Sequence, residues 1–227
     1  MPAAFYLFGD SCDPKQINAD CGSNGSTGIL AGPWTASTMS LSAFFVPPAT
    51  GIHHIAVESM PWPFVSGAFK LEIEELVLPS NGTCATAQQV TLGSGATVIK
   101  GDTTGVANEF GTAVNCGSYD VYYTGGQLYY QVDLSAGTTY TFTLTPGAGF
   151  DEAALYVFGD SCSWSQINAD CGSKGAAGHV VQASTYQPGS ISFTPAKSGK
   201  YRFAVDSPNM DKASGGYYCG PFEVTIK

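Results

Sequence analysis

Residues 154–178 read ALYVFGDSCSWSQINADCGSKGAAG, and residues 4–28 read AFYLFGDSCDPKQINADCGSNGSTG. Identity this dense marks duplication of a structural unit, and such a repeat governs how every local pattern is read. The copies start at 4 and 154, an offset of 150, in a chain of 227 residues. The chain therefore holds one whole unit and part of another. The likeness continues beyond the cysteine loop. SAFFVPPATGIHHIAVES (42–59) parallels SISFTPAKSGKYRFAVDS (190–207), with Gly51 matching Gly199 and Ala56-Val57 matching Ala204-Val205. A closing strand is predicted after each, FKLEIEEL (69–76) and FEVTIK (222–227). Residues 1–78 and 151–227 are thus equivalent, whereas 82–150 has no counterpart. The turn-rich stretch Leu78-Pro79-Ser80-Asn81-Gly82 is the natural boundary between them. The expected domains are 1–78, the C-terminal half of a β-sandwich repeat, and 82–227, a complete repeat.

Strand signals are frequent. TTYTFTLT (138–145) alternates Tyr140, Phe142 and Leu144 with threonines, the period of two of a half-buried strand. LYYQVDL (128–134), KYRFAV (200–205), KLEIEEL (70–76) and FEVTI (222–226) behave similarly, and SAGTT, TPGAGF, GSGAT and KSGK supply turns. Helix signals are nearly absent. The one helix candidate, TCATAQQV, is as readily a strand because of its Thr and Val. Many short strands broken by Gly/Pro turns predict an all-β fold, an antiparallel β-sandwich of jelly-roll type.

Composition agrees. Charged residues are 12% of the chain, whereas Gly, aromatic and β-branched residues are plentiful, a balance that suits pleated surfaces better than helices. The net charge of −9 argues against nucleic acid as a partner, since phosphates call for Lys and Arg. No apolar run reaches the roughly 18–20 residues of a membrane span.

The seven cysteines stand at 12, 21, 84, 116, 162, 171 and 219. Cys12/Cys21 and Cys162/Cys171 occupy matching places, each pair flanking a short Asn/Asp-containing loop. Duplicated placement predicts two local disulfides, Cys12–Cys21 and Cys162–Cys171. Cys84 and Cys116 form the third expected pair, and Cys219 is left over. No CxxC or Cys/His cluster has zinc spacing. Disulfides imply an oxidising compartment and an extracellular location, secreted or on the cell surface. MPAAFYLFGDSC lacks the basic and apolar regions of a signal sequence, and reads as a chain begun at an element boundary.

From about Asn81 to Ser207 the chain resembles the bacterial pre-peptidase C-terminal domain. The matching run is Asn81-Gly82-Thr83-Cys84, then GSYDVYYTGGQLYYQVDLSAGTTYTFTLTPGAGFDEAALYVFGDSC (117–162), then SGKYRFAVDS (198–207). It includes the Asp120-Val121-Tyr122 strand, the Ser-Ala-Gly turn, the Phe150-Asp151 strand start and the strand from Gly199. The resemblance implies a jelly-roll sandwich and a non-catalytic appendage of secreted proteases or surface proteins, some members binding collagen or calcium. Residues 1–78 are then the C-terminal half of a second such module. The family's calcium ligands lie in an acidic stretch before the first strand. Here LVLPSNGTC offers no carboxylate nearer than Glu74 and Glu75, a departure from that pattern.

Within the repeated loop, Asp10, Asn18 and Asp20, with their equivalents Asp160, Asn168 and Asp170, are the candidate metal ligands. Calcium takes six to eight oxygens, and carboxylates in a Gly-rich loop suit it. The spacing is not that of an EF-hand, and Asn and Asp also build turns without an ion. Turn-building is the preferred reading, and no cofactor is required. Asp102, Glu109, Asp120 and Asp151 are weaker acidic candidates. His53 and His54 are neighbours on a predicted strand, so they point to opposite faces and read as strand filling, while His179 stands alone. GDSC is no nucleophile elbow, lacking the G-x-S-x-G turn and its α/β context, so catalysis is not expected. Tyr119, Tyr122, Tyr123, Tyr129, Tyr130 and Tyr140 crowd one region, as recognition surface or, preferably, as core. Asn24-Gly25-Ser26 and Asn81-Gly82-Thr83 fit the N-glycosylation pattern.

The expected function is a non-catalytic extracellular β-sandwich module for binding or adhesion, within a larger secreted or surface repeat protein. Its partners are a protein or carbohydrate surface, or copies of itself. The alternative is a structural subunit of a filament or assembly built by strand or half-domain complementation, because unpaired edges invite strand addition. A secreted hydrolase ranks third.

Overall fold

The computed structural model describes residues 3–10, 13–15, 29–31, 50–59, 67–110, 114, 125–147, 150, 153–172, 179–183, 188–206 and 219–227. They fall into two compact units, Met1–Leu76 and Val77–Lys227.

In the first unit, β1 (Ala3–Phe8), β2 (Ile29–Ala31) and β3 (His54–Ser59) form an antiparallel sheet in the order β2-β1-β3. Residues 67–76 follow, with no ladder hydrogen bonds. The strand predicted over KLEIEEL is therefore not formed. Its alternating residues suit a strand, but a strand exists only against a neighbour that satisfies its backbone groups.

The second unit opens on a 3-10 turn, Cys84–Thr86, and a short strand, β4 (Gln88–Val90), where TCATAQQV had suggested either a helix or a strand. The other strands are β5 (Thr97–Asp102), β6 (Leu128–Leu134), β7 (Tyr140–Pro146), β8 (Ala153–Phe158), β9 (His179–Ala183), β10 (Gly189–Phe193), β11 (Gly199–Asp206) and β12 (Pro221–Ile226). They make two sheets, β10-β7-β12-β5 and β4-β6-β11-β8-β9. All pairings are antiparallel except β4 with β6. The fold is the all-β sandwich expected from the strand pattern. The tight β6–β7 turn places Gly137 at φ 74°, a left-handed conformation that glycine adopts without a steric penalty.

One core lies between the sheets, where Leu128, Phe142, Leu155, Phe203, Val224 and Ile226 meet. A second lies on the outer face of the five-stranded sheet, beneath the helix α1 (Trp164–Gly172). Ile167 and Cys171, four residues apart on one helix face, pack there with Tyr129, Tyr156 and Phe158. Strand β8 is consequently buried on both faces along its whole length.

This helix corrects the reading of residues 162–171 as a loop closed by a local disulfide. Ser163 accepts the first helical bond, from the Ile167 N–H at 2.9 Å. Ser, Asn and Asp are weak helix formers because their side chains compete for backbone groups. Here those side chains turn inward along the helix: Asn168 donates to the Trp164 carbonyl at 2.9 Å, and Gln166 to Asp170 at 2.6 Å.

The two units share a register. Leu155, Tyr156 and Val157 of β8 face Val181, Val180 and His179 on one side and Val205, Ala204 and Phe203 on the other. Phe5, Tyr6 and Leu7 of β1 face Ala31, Leu30 and Ile29, and Val57, Ala56 and Ile55. Every pair matches under the sequence alignment of the repeat. The first unit's sheet β2-β1-β3 therefore reproduces β9-β8-β11, and among the described residues β3 is an edge strand where β11 meets β6.

Candidate functional site

The repeated segment turns sharply at Gly159-Asp160 after β8. Arg202 of β11 donates through Nη1 to both the carbonyl and the carboxylate of Asp160. Asp170 accepts from the Gly159 N–H at 3.0 Å and from Gln166. The three candidate ligands described in this copy, Asp160, Asn168 and Asp170, thus hold the strand–turn–helix junction together. In the first unit, Asp10 lies 3.8 Å from His54 Nε2, and His54 stacks on Phe8 with centroids 5.5 Å apart. His54 and Arg202 are equivalent, so both copies set a basic side chain of the third strand against the turn carboxylate. Asn18 and Asp20 lie outside the described residues, as do Asp120, Asp151, Asn24, Tyr119, Tyr122 and Tyr123. No group of three or more His, Cys, Asp or Glu among the described residues is placed to hold a metal ion.

Cys84 is bonded to Cys162, with Cα atoms 5.5 Å apart, which overturns the expected pairs Cys162–Cys171 and Cys84–Cys116. Cys171 is disulfide-bonded as well. The reason is the helix: Cys171 turns inward beneath it, whereas Cys162 lies ahead of it beside the 3-10 turn that carries Cys84. Cys12, Cys21 and Cys116 lie outside the described residues. Cys219 is a buried free thiol, raised in pKa chiefly by that burial.

Beside the disulfide runs a polar network that the sequence did not reveal. Glu109 accepts from the Cys84 N–H at 2.9 Å, and its own N–H donates to Gln127 at 3.0 Å. Gln127 donates to Asp206 at 3.2 Å, and Asp206 accepts from the Tyr156 hydroxyl at 3.3 Å. Gln127 and Asp206 are completely buried. Tyr129 and Tyr156 have pKa values raised well above the ordinary phenol, by burial first and by neighbouring negative charge second. Of the tyrosine cluster, Tyr129 and Tyr130 belong to the buried core. Asn81 is also buried, donating to the Tyr129 carbonyl at 2.9 Å, so Asn81-Gly82-Thr83 presents no accessible acceptor in the folded unit.

A shallow cleft of about 250 Å³ opens over this network, lined by Leu78, Pro79, Gly82, Thr83, Val106 and Glu109. It is smaller than the usual small-molecule site of about 300–1,000 Å³. Its one carboxylate is engaged by backbone. The arrangement pins the start of the second unit to the helix and sheet.

These features define a two-sheet β-sandwich with a helix stapled over one outer face. Residues 126–207 match the family described as the bacterial pre-peptidase C-terminal domain. No curated protein matches the chain. Among solved structures, PliG, a periplasmic inhibitor of g-type lysozyme from Aeromonas hydrophila, is 17% identical with a TM-score of 0.38, covering 62% of this chain and 94% of its own. The pre-peptidase C-terminal domain of a Bacillus anthracis collagenase is 18% identical with a TM-score of 0.35, over 62% and 94%. CorA, a surface-associated copper-binding protein of Methylomicrobium album BG8, is 11% identical with a TM-score of 0.35, over 62% and 96%. No helix among the described residues is long and apolar enough to cross a membrane.

Proposed function

We propose that the chain is a non-catalytic β-sandwich module of an extracellular protein, and that it serves binding or adhesion to a protein or carbohydrate surface. The observation that carries this reading is the engagement of the repeated signature. Asp160, Asn168 and Asp170 bond their own strand, turn and helix, so the segment that looks most like a motif acts as scaffold. The match of residues 126–207 to an appendage family supports the same reading. The Cys84–Cys162 bond supports a location in an oxidising compartment.

The test is retention of the purified chain on a panel of immobilised matrix proteins and insoluble polysaccharides at physiological salt. Saturable retention on one member is expected. Esterase and peptidase activity that co-purifies with the chain and disappears on substitution of Ser161 would overturn the non-catalytic reading. Because the repeated-turn carboxylates already have partners, melting temperatures in calcium and in EDTA are expected to coincide. A rise with calcium would show an ion bound to the native state.

A further inference from the structure

In β12 the side chains of Phe222, Val224 and Ile226 point into the inter-sheet core, at 4%, 0% and 1% exposure. Aligned on the repeat, FKLEIE places Phe69, Leu71 and Ile73 at the same three positions. These are exposed by 67%, 45% and 74%. The apolar alternation of a central strand is kept here, while no described strand pairs with it. A second opening lies in the same unit. Strand β3 ends the sheet β2-β1-β3, and Ile55 is 38% exposed, whereas its equivalent Phe203 is buried against β6 and β8.

Both openings correspond to one set of strands. In the second unit β12 lies between β5 and β7, and β11 lies beside β6. All three of those neighbours come from residues 82–150, the stretch with no counterpart in the first unit. We infer that the first unit is an acceptor for a polypeptide of the residue 82–150 type, which adds a β6-like strand to the edge of β3 and β5- and β7-like strands on either side of Phe69–Leu76. The pairing register is set by β12, where Phe222 faces Gly101 and Val224 faces Ile99. A Cβ at Gly101 would sit 2.5 Å from the Phe222 ring, so the incoming strand needs glycine opposite Phe69.

Further copies of residues 1–227 do not fill the place. Each copy carries two closing halves, 1–78 and 151–227, and one opening half, 82–150. Residues 1–227 by themselves keep that ratio in any number of copies. The occupant is an opening half other than residues 82–150, in the same polypeptide or in another, bearing three strands with apolar residues alternating on one face. This inference stands independently of what the module binds.

The probe is the polypeptide of residues 79–150 carrying Cys84→Ser and Cys116→Ser, added to the oxidised full chain. The chain's own opening half is held by the Cys84–Cys162 bond, which disfavours displacement of β12. Calorimetry is expected to saturate at one probe per chain, and hydrogen exchange of residues 55–57 and 69–76 to slow together. Ile73→Lys in the full chain is expected to weaken binding at least ~30-fold, since a Lys at a closed core position lacks a partner. To remove dependence on the probe's solubility, the same 79–150 segment is also placed ahead of Met1 through a flexible Gly/Ser linker, giving an effective concentration near millimolar. Failure of 69–76 to gain protection in this tethered form would overturn the inference. So would probe binding that survives Ile73→Lys, or a homodimer that protects 69–76 without any probe.

Discussion

Phe222–Ile226 and Phe69–Ile73 carry the same apolar alternation, yet one is a central strand and the other pairs with no strand among the described residues. The difference lies outside both segments. Alternation fixes which side chains share a face, but only a neighbouring strand can satisfy the backbone and only a facing sheet can bury that face. The same contrast runs through the strands they follow. Tyr156, Val157, Ala204 and Val205 are completely buried, while Tyr6, Leu7, Ala56 and Val57 at identical register are half-buried.

The contrast can be broken most severely at its aromatic end. Phe222→Ala should lower the stability of the second unit by about 3–5 kcal/mol in urea unfolding, the usual cost of emptying an aromatic core position. Phe69→Ala should change stability by no more than about 0.5 kcal/mol, as at other exposed sites. Equal losses at the two positions would mean that Phe69 is buried in solution.

Cys84→Ser should cost about 2–4 kcal/mol, because the bond spans 78 residues and restricts the unfolded chain. Melting under non-reducing conditions reads that loss, and a fully reduced wild-type chain should show a loss at least as large.

The buried phenols give a pH signature peculiar to the second unit. Their folded pKa values lie above the unfolded value of about 10, so their stabilising contribution is complete below that pH. Stability should fall as pH rises past about 10, where the unfolded chain begins to release phenolic protons that the folded chain retains. Spectrophotometric titration should show Tyr129 and Tyr156 ionising only together with unfolding. Ionisation in the folded state would place them in contact with water.

The smallest effect is expected at the repeated turn. Asp160→Asn should cost below about 1 kcal/mol, since the Asp160 side chain is 59% exposed and its charge is largely solvated.

Much of the sandwich was legible in the chain. LYYQVDL coincides with β6, and TTYTFTLT overlaps β7 because Phe142 and Leu144 alternate with threonines. The helix was hidden by its composition: WSQINADCG has no strong run of helix formers, and only Ile167 and Cys171, four apart after Ser163, betray its buried face. A second clue stood just before it. ALYVF is apolar without alternation, which signals a strand covered on both faces, and something had to cover the second one. The polar network was not legible, since Glu109, Gln127 and Asp206 are brought together only by the folded sheets. Nor was the partner of Cys84, which is set by distance in space.

The Cys84–Cys162 bond joins the opening half of the second unit to its closing half. On the inference that 1–78 accepts an opening half, residues 82–150 have two closing halves to choose between before the bond forms. Afterwards the choice is made permanent. On the same inference, oxidation acts as a clock on partner selection, because an opening half that arrives after it meets 1–78 and not 151–227.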